Sequence, residues 1–269
     1  MLIDFHVHTF PDAIAERTCA MLLENMTKTY NIDQKLNYDG TVDGLLRSMN
    51  KTGVDISVIM PIATKPSQHK SINNFAKLIT NDKIISFGSL HPYGENLSHE
   101  INDLRNRGFK GIKLHPDYQG VCADDDKFIS LVKTATENGL YVTIHSGHDT
   151  GIKPPFKGSI DKIKTLLNKV DDSFVILAHM GAFNQWDMVE DTIINSNAYF
   201  DTSVVSRFIN VNQYRRIIDK HGADRILFGS DMPWELPSDT LKFLESSGIS
   251  KYEIELITYK NANNILKIF

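Results

Sequence analysis

The 269-residue sequence predicts a (β/α)8 barrel, and three observations carry that expectation. Eight short β-rich runs are spread along the chain. Apolar stripes at helical spacing fill the gaps between them. Glycines stand where several of those helices must stop before the next strand.

The runs cover residues 2–8, 55–60, 84–90, 111–115, 141–145, 174–179, 198–203 and 226–231. Most are nearly continuous apolar stretches, as expected for strands covered on both faces in a parallel sheet. Val42, Leu45, Leu46 and Met49 form the first helical stripe. Ile72, Phe75, Ala76 and Ile79 form another, followed by Phe128, Leu131, Val132 and Ala135, then Ile160, Ile163, Leu167 and Val170. These recur with the i, i+3, i+4 spacing of an amphipathic helix. Gly53, Gly108, Gly139 and Gly222 fall just ahead of the following strands, at helix C-terminal positions. Asp124, Asp125 and Asp126 precede a helix, where its positive amino-terminal dipole accounts for them without a metal. A doubly wound open sheet is the rival fold, but no glycine-rich phosphate turn follows the first strand.

One spacing is irregular. Later strands begin 24 to 33 residues apart, whereas about 45 residues separate His8 from Val54. With 42–49 as the first barrel helix, the segment 11–30, carrying Met21, Leu22, Leu23 and Met26, becomes an inserted helix. It lies in the first strand-to-helix loop, on the face where barrel enzymes work. The expectation is one barrel domain over 1–269, with this helix either covering the pocket mouth or packing on the barrel side.

Composition narrows the function. With 29 basic against 33 acidic residues and no basic run, the chain lacks a phosphate-binding footprint, so no nucleic-acid partner is expected. No apolar run approaches the ~18 residues of a membrane span. The start of the chain shows no basic segment or apolar core of a signal peptide. Cys19 and Cys122 are too few for a disulfide framework and read as free thiols. A cytoplasmic location is the expectation, with a small-molecule partner; a homo-oligomer is compatible with the sequence.

The histidines are informative by position. Of ten, His6, His8, His91, His115, His145 and His179 fall at strand ends, and a further strand ends in Asp231. Carboxyl ends of barrel strands converge on one face, so these distant residues become neighbours. His6 and His8 are two apart on one strand and share a side, where they can chelate one ion. Joined by His145, His179 and Asp231, they predict a divalent-metal centre.

Five stretches make the sequence resemble the amidohydrolase superfamily: Asp4-Phe5-His6-Val7-His8, Ile112-Lys113-Leu114-His115-Pro116, Ile144-His145-Ser146-Gly147, Leu177-Ala178-His179-Met180-Gly181 and Phe228-Gly229-Ser230-Asp231-Met232-Pro233-Trp234. The nearer likeness is to its amidohydrolase-2 branch, which includes aminocarboxymuconate-semialdehyde decarboxylase, resorcylate decarboxylases and assorted hydrolases. The resemblance implies a TIM-like barrel of the metallo-dependent hydrolase type. It implies a metal held by His6, His8, His145 and Asp231, with Asp231 also shuttling a proton and His179 catalytic beside the ion.

Three imidazoles and a carboxylate suit zinc first and manganese second, with a position left for water whose pKa falls from ~15.7 toward ~7. Lys113 shares a face with His115. In binuclear relatives a carboxylated lysine on this strand bridges two ions, which here would place His145 and His179 on the second. In the mononuclear form, which is preferred, Lys113 binds a substrate carboxylate or pairs with an acid.

His91 and His115 are candidate substrate donors, Trp234 a candidate apolar wall, and Arg207 a candidate partner for a substrate anion. Asp201 is read as a structural acid behind the ligands. The loop 146–158, with His148, Asp149 and Pro154-Pro155, exceeds usual connection lengths and reads as a rim. Hydrolysis of an amide, lactone or related carbonyl substrate is the first expectation, because Lys113 with His115 departs from the decarboxylase pattern. Nonoxidative decarboxylation of a small aromatic or dienoic acid is the alternative, and a catalytically silent metal scaffold the third reading.

Overall fold

The computed structural model describes residues 1–31 and 34–268; residues 32, 33 and 269 of the expected domain lie outside the described residues. Eight strands form, in the predicted order: β1 (Ile3–Val7), β2 (Ile56–Ile59), β3 (Ile84–Ser86), β4 (Gly111–Leu114), β5 (Tyr141–Ile144), β6 (Val175–Leu177), β7 (Tyr199–Asp201) and β8 (Ile226–Leu227). Every ladder between neighbours is parallel, in the orders β1-β2-β3 and β4-β5-β6-β7-β8. Isolated parallel bridges span both seams, Gly88 with Ile112 and Val7 with Met232. Backbone bonds accompany them: Lys113 N to Gly88 O at 2.8 Å, and His8 N to Met232 O at 2.7 Å. The arrangement is the expected (β/α)8 barrel.

The helices are α1 (Asp12–Tyr30), α2 (Val42–Thr52), α3 (His69–Ile79), α4 (Leu97–Asn106), α5 (Pro116–Gln119), α6 (Asp126–Glu137), α7 (Ile160–Leu167), α8 (Trp186–Thr192), α9 (Val211–His221), α10 (Pro237–Ser246), α11 (Lys251–Glu255) and α12 (Asn261–Leu266). A π-helical turn, Leu256–Lys260, joins the last two. Local chemistry sets the ends. Thr41 accepts from Gly44 N at the start of α2, and Gly53 closes that helix at φ 76°, where its N–H reaches Met49 O. Asp125 caps α6 by accepting from Lys127 N, which accounts for the aspartate run. None of these helices is long and apolar enough to cross a membrane.

Two apolar layers follow from the strand period of two. Ile112, Leu114, Val142, Ile144, Val175 and Leu177 pack in one cluster with Phe128, Leu131, Ile163 and other helix residues. Ile3, Phe5, Ile56, Val58, Phe87, Ile176 and Leu227 form another with Ala262, Ile265 and Leu266 of α12. Since Ile3 and Ile56 begin their strands, this second cluster fills the end of the barrel opposite the polar one. The β1–β2 register shifts between Asp4 and Val7. Such a bulge re-aims side chains, a device common beside active sites.

Candidate active site

His6, His8, Lys113, His115, His145, His179 and Asp231 all line one cavity of about 530 Å³. Most of them stand at or just beyond the carboxyl end of a strand, which is why the barrel gathers them. The chain bends sharply to present two: His179 sits at φ 61° and Asp231 at φ 63°. Left-handed backbone in a non-glycine residue costs on the order of 1–3 kcal/mol and tends to persist at functional positions. Asp4 anchors the turn before Asp231, accepting from Ser230 N at 2.9 Å and from the Ser230 hydroxyl.

Hydrogen bonds at the outer nitrogens decide what the imidazoles show the cavity. His6 donates from Nδ1 to Asp201 Oδ2 at 2.8 Å, which leaves the Nε2 lone pair facing inward. The Ser203 hydroxyl donates to Asp201 Oδ1, so His179 Nδ1 donates to Ser203 O at 2.9 Å and its Nε2 is likewise a lone pair. His145 donates from Nε2 to His148 O at 3.2 Å, leaving Nδ1 as an acceptor 3.0 Å from His179 Nε2. Two lone pairs at that separation repel unless a proton or a cation serves both. Asp231 Oδ1 is buried and, among the described residues, receives no hydrogen bond of good geometry, although it lies 3.0 Å from His8 Nε2 and 3.6 Å from His6 Nε2. This donor set, nitrogen-rich with one free carboxylate oxygen, fits a divalent ion.

The charges agree. Burial, reinforced by the Lys113 ammonium, pushes His6 down to about 4, so it is neutral and able to ligate at pH 7. Burial likewise holds His145 well below its ordinary range, helped by His115 and His179. Burial alone would raise Asp231 and Asp201, but the adjacent histidines outweigh it and both stay well below the usual carboxylate range. Burial lowers Lys113 to about 8, and its Nζ lies 3.2 Å from His6 Nε2. That ammonium meets one of the inward lone pairs and lines the cavity.

The expected ligand set is brought together in two parts. His6, His8 and Asp231 have ligand atoms within 4.8 Å of one another, while His145 joins a neighbouring trio with His115 and Asp149. The second trio is held by hydrogen bonds. His115 Nδ1 accepts from Tyr118 N at 3.3 Å, capping α5, so its proton is on Nε2 and goes to Asp149 Oδ2 at 3.1 Å. His145 also turns its Nε2–H toward that side, so its remaining lone pair serves the first group through His179.

The substrate candidates divide. Trp234, Arg207 and His115 line the cavity. Arg207 also donates to Gln34 Oε1 at 2.8 Å. His91 does not line it: its Nε2 meets Gln119 O at 2.9 Å and its Nδ1 accepts from Tyr93 N, so both nitrogens are spent on the backbone. The expectation that His91 binds substrate is corrected accordingly. Asp201 is the acid behind His6, as read. Sequence reasoning missed Tyr118, Phe183 and Phe208 as lining residues and the catalytic-face role of Asp149. A tyrosine three residues past a strand-end histidine was the available signal for the first. From α1, Ile14, Arg17, Met21, Leu22 and Met26 line the same cavity, so the inserted helix stands at the pocket.

A family model described as amidohydrolase matches residues 3–268. The chain belongs to the amidohydrolase family. None of the curated proteins compared matches it. Solved structures resemble this amidohydrolase in fold across almost the whole chain. A TIM-barrel protein from Bordetella bronchiseptica superposes with a TM-score of 0.77 at 16% identity, covering 99% of this chain and 98% of that one. 2,6-Dihydroxybenzoate decarboxylase complexed with 2,6-dihydroxybenzoate gives 0.72 at 14% identity, covering 99% of each. Dihydroxybenzoic acid decarboxylase from Polaromonas sp., with bound manganese and the inhibitor 2-nitroresorcinol, gives 0.70 at 15% identity, covering 99% and 97%.

Proposed function

We propose that this amidohydrolase catalyses the nonoxidative decarboxylation of a small aromatic acid, with one divalent ion, manganese or zinc, held by His6, His8, His145 and Asp231. The observation that carries the reading is the make-up of the cavity. A polar floor of histidines with Lys113 and Asp231 lies beneath walls of Phe10, Met21, Leu22, Phe75, Phe183, Phe208 and Trp234. A flat ring with one anionic group matches both halves, as drug-sized pockets generally pair apolar walls with a few placed polar groups. Likeness in fold to decarboxylases of aromatic acids supports it and displaces hydrolysis as the first reading.

When bound, the ion acts as a Lewis acid on the substrate's oxygens. The chain's own residues do the rest. Lys113 receives the carboxylate, and the aromatic walls orient the ring and keep water from the carbon. The substrate binds as its carboxylate, and Asp231 relays a proton drawn from solvent to the ring carbon as the carbon–carbon bond breaks and carbon dioxide leaves. His179, fixed through Nδ1 by Ser203, presents its Nε2 lone pair and accepts a hydrogen bond from the substrate. The α1 residues close the mouth and set which ring enters.

Hydrolysis of an amide or lactone is a second reading. It is favoured by the free Asp231 Oδ1 beside His8, a position suited to orienting a water. Carbon dioxide release separates the two. Protein loaded with manganese or zinc is incubated with a panel of hydroxybenzoates and with lactones and amides. Stoichiometric carbon dioxide and decarboxylated ring product are expected. Lactone or amide turnover without carbon dioxide would establish the second reading, and a metal-loaded protein inert to both would overturn the proposal.

A further inference from the structure

The cavity of about 530 Å³ is larger than a monocyclic acid needs. At the ~30 Å³ that a water fills in the liquid, it holds about 17 water-sized groups, whereas benzoate has nine non-hydrogen atoms. The surplus has a direction. β1 presents His6 and His8, but its neighbour β2 runs on into Met60, Pro61 and Ile62, and all of these line the cavity. Ile72 and Phe75 of α3 continue that side, and Met21, Leu22 and Met26 of α1 line the cavity too. Among the lining residues that β2, its loop, α3 and α1 supply, only Arg17 is charged, and its side chain is exposed.

The uncharged polar residues next to α3 turn to one another. The Thr64 hydroxyl donates to Gln68 Oε1 at 3.0 Å, and the Ser71 hydroxyl donates to Gln68 O at 3.0 Å. Thr64 N and Lys65 N donate to the same Oε1. Hydrocarbon and thioether make up the rest of that side. Met60 is fully buried, Leu22, Ile62, Ile72 and Phe75 are half-buried, and Met21 is 52% exposed. Apolar surface that faces a cavity gains when an apolar group displaces water from it. Met21, Met26 and Met60 suit a flexible chain better than a flat ring, because unbranched thioether side chains mould to an irregular partner.

We infer that the end of β2, α3 and α1 form an apolar annex that takes a hydrocarbon chain of the substrate, while the ring stays with Phe183, Phe208 and Trp234. The inference rests on reading the cavity as one for an aromatic acid, and it makes that acid an alkyl-substituted one. By the same volume reckoning the chain has up to about eight carbons. The inserted helix thereby gains a task, since Met21, Leu22 and Met26 supply one wall of the annex.

Isothermal titration of the manganese-loaded protein with benzoate and its 3- and 4-alkyl derivatives, methyl to hexyl, tests it. In at least one series each added methylene should tighten binding by about three- to fourfold until the annex is full. The butyl compound should then bind at least about tenfold tighter than the methyl one. Ile72→Trp fills the annex and Leu22→Ser makes its wall polar, and each should cut that ratio to about threefold or less. The ratio is taken within each protein, so a general change in affinity leaves it readable. Leu22 lies on a helix that is mostly exposed, which keeps the test valid if Ile72→Trp disturbs α3. A wild type without gain in chain length, or a gain that survives in both variants, would overturn the annex. Butyrolactones with the same alkyl chains at the γ-carbon are titrated in parallel. A length-dependent gain with lactones in a protein that binds no benzoate would sink the aromatic-acid reading alone. Benzoates bound without gain would sink the annex alone, and no binding in either series would sink both.

Discussion

Asp201 accepts a hydrogen bond from His6 Nδ1 across 2.8 Å, and that bond decides which nitrogen of His6 faces the cavity. The same carboxylate accepts from the His179 backbone N at 3.0 Å and from the Ser203 hydroxyl, so one buried acid sets the orientation of two site histidines. Supports of this kind typically contribute 10- to 100-fold to metal affinity. Asp201→Asn should therefore weaken manganese or zinc binding by about 10- to 100-fold, read by competition with a chromogenic chelator. Unchanged affinity would mean that His6 needs no such anchor.

Gly229 makes room for His6. A Cβ there would lie 2.9 Å from the His6 Cβ, closer than real side chains pack, and in ordinary contact with the Ser203 Cβ at 3.5 Å. Because both neighbours belong to the barrel wall, Gly229→Ala must push His6 aside. The expected result is a stability loss of about 1–3 kcal/mol in urea melts, together with at least tenfold weaker metal binding. A variant that melts and binds metal like the wild type would show that the wall yields.

Lys113 predicts a pH dependence in metal-free protein. Its pKa is about 8 in the fold against 10.5 unfolded, because burial disfavours the ammonium. Between those values the unfolded chain binds more protons than the folded one, so stability gains with rising pH across the window and the gain is lost as pH falls through about 8. Lys113→Met lacks this contribution. The stability difference between wild type and Lys113→Met should thus shift in favour of the wild type from pH 8 to 10.5, by at most about 3 kcal/mol. Chelator-treated samples followed by denaturant melts at several pH values provide the check; a flat difference would place the ammonium in a wetter setting.

Trp234 is 7% exposed and lines the cavity just beyond Asp231. Removing it takes away apolar wall without touching a ligand. Trp234→Ala should raise KM for a ring substrate by about tenfold, a burial loss of roughly 1.4 kcal/mol, with metal content unchanged. A change in kcat alone would argue that the indole acts on the reaction rather than on ring binding.

The barrel was legible because strand and helix periods alternate without ambiguity, and the gathered histidines were legible because a parallel barrel forces strand ends together. The shortness of β8 was not. Beyond Leu227 the chain is bonded sideways to Asp4 and His6 and turns left-handed at Asp231, a consequence of partners more than 220 residues away in sequence. His91 misled for a related reason: a strand-end histidine can spend both nitrogens on local backbone, and only the position of Gln119 reveals it. Asp149 was hidden in a long loop, where residue type alone does not distinguish a rim carboxylate from one buried under a histidine. The helix from Asp12 to Tyr30 was readable from a spacing irregularity, but its contact with the cavity required the coordinates.

The central claim is that His6, His8, His145 and Asp231 hold one divalent ion, and metal content measures it most directly. Elemental analysis of protein purified after manganese and zinc supplementation should find about one ion per chain in the wild type. The ion should be largely lost in His8→Asn and in Asp231→Asn, with both variants folded by circular dichroism. A wild type that carries no divalent ion, or an Asp231→Asn protein that retains a full equivalent, would contradict the account.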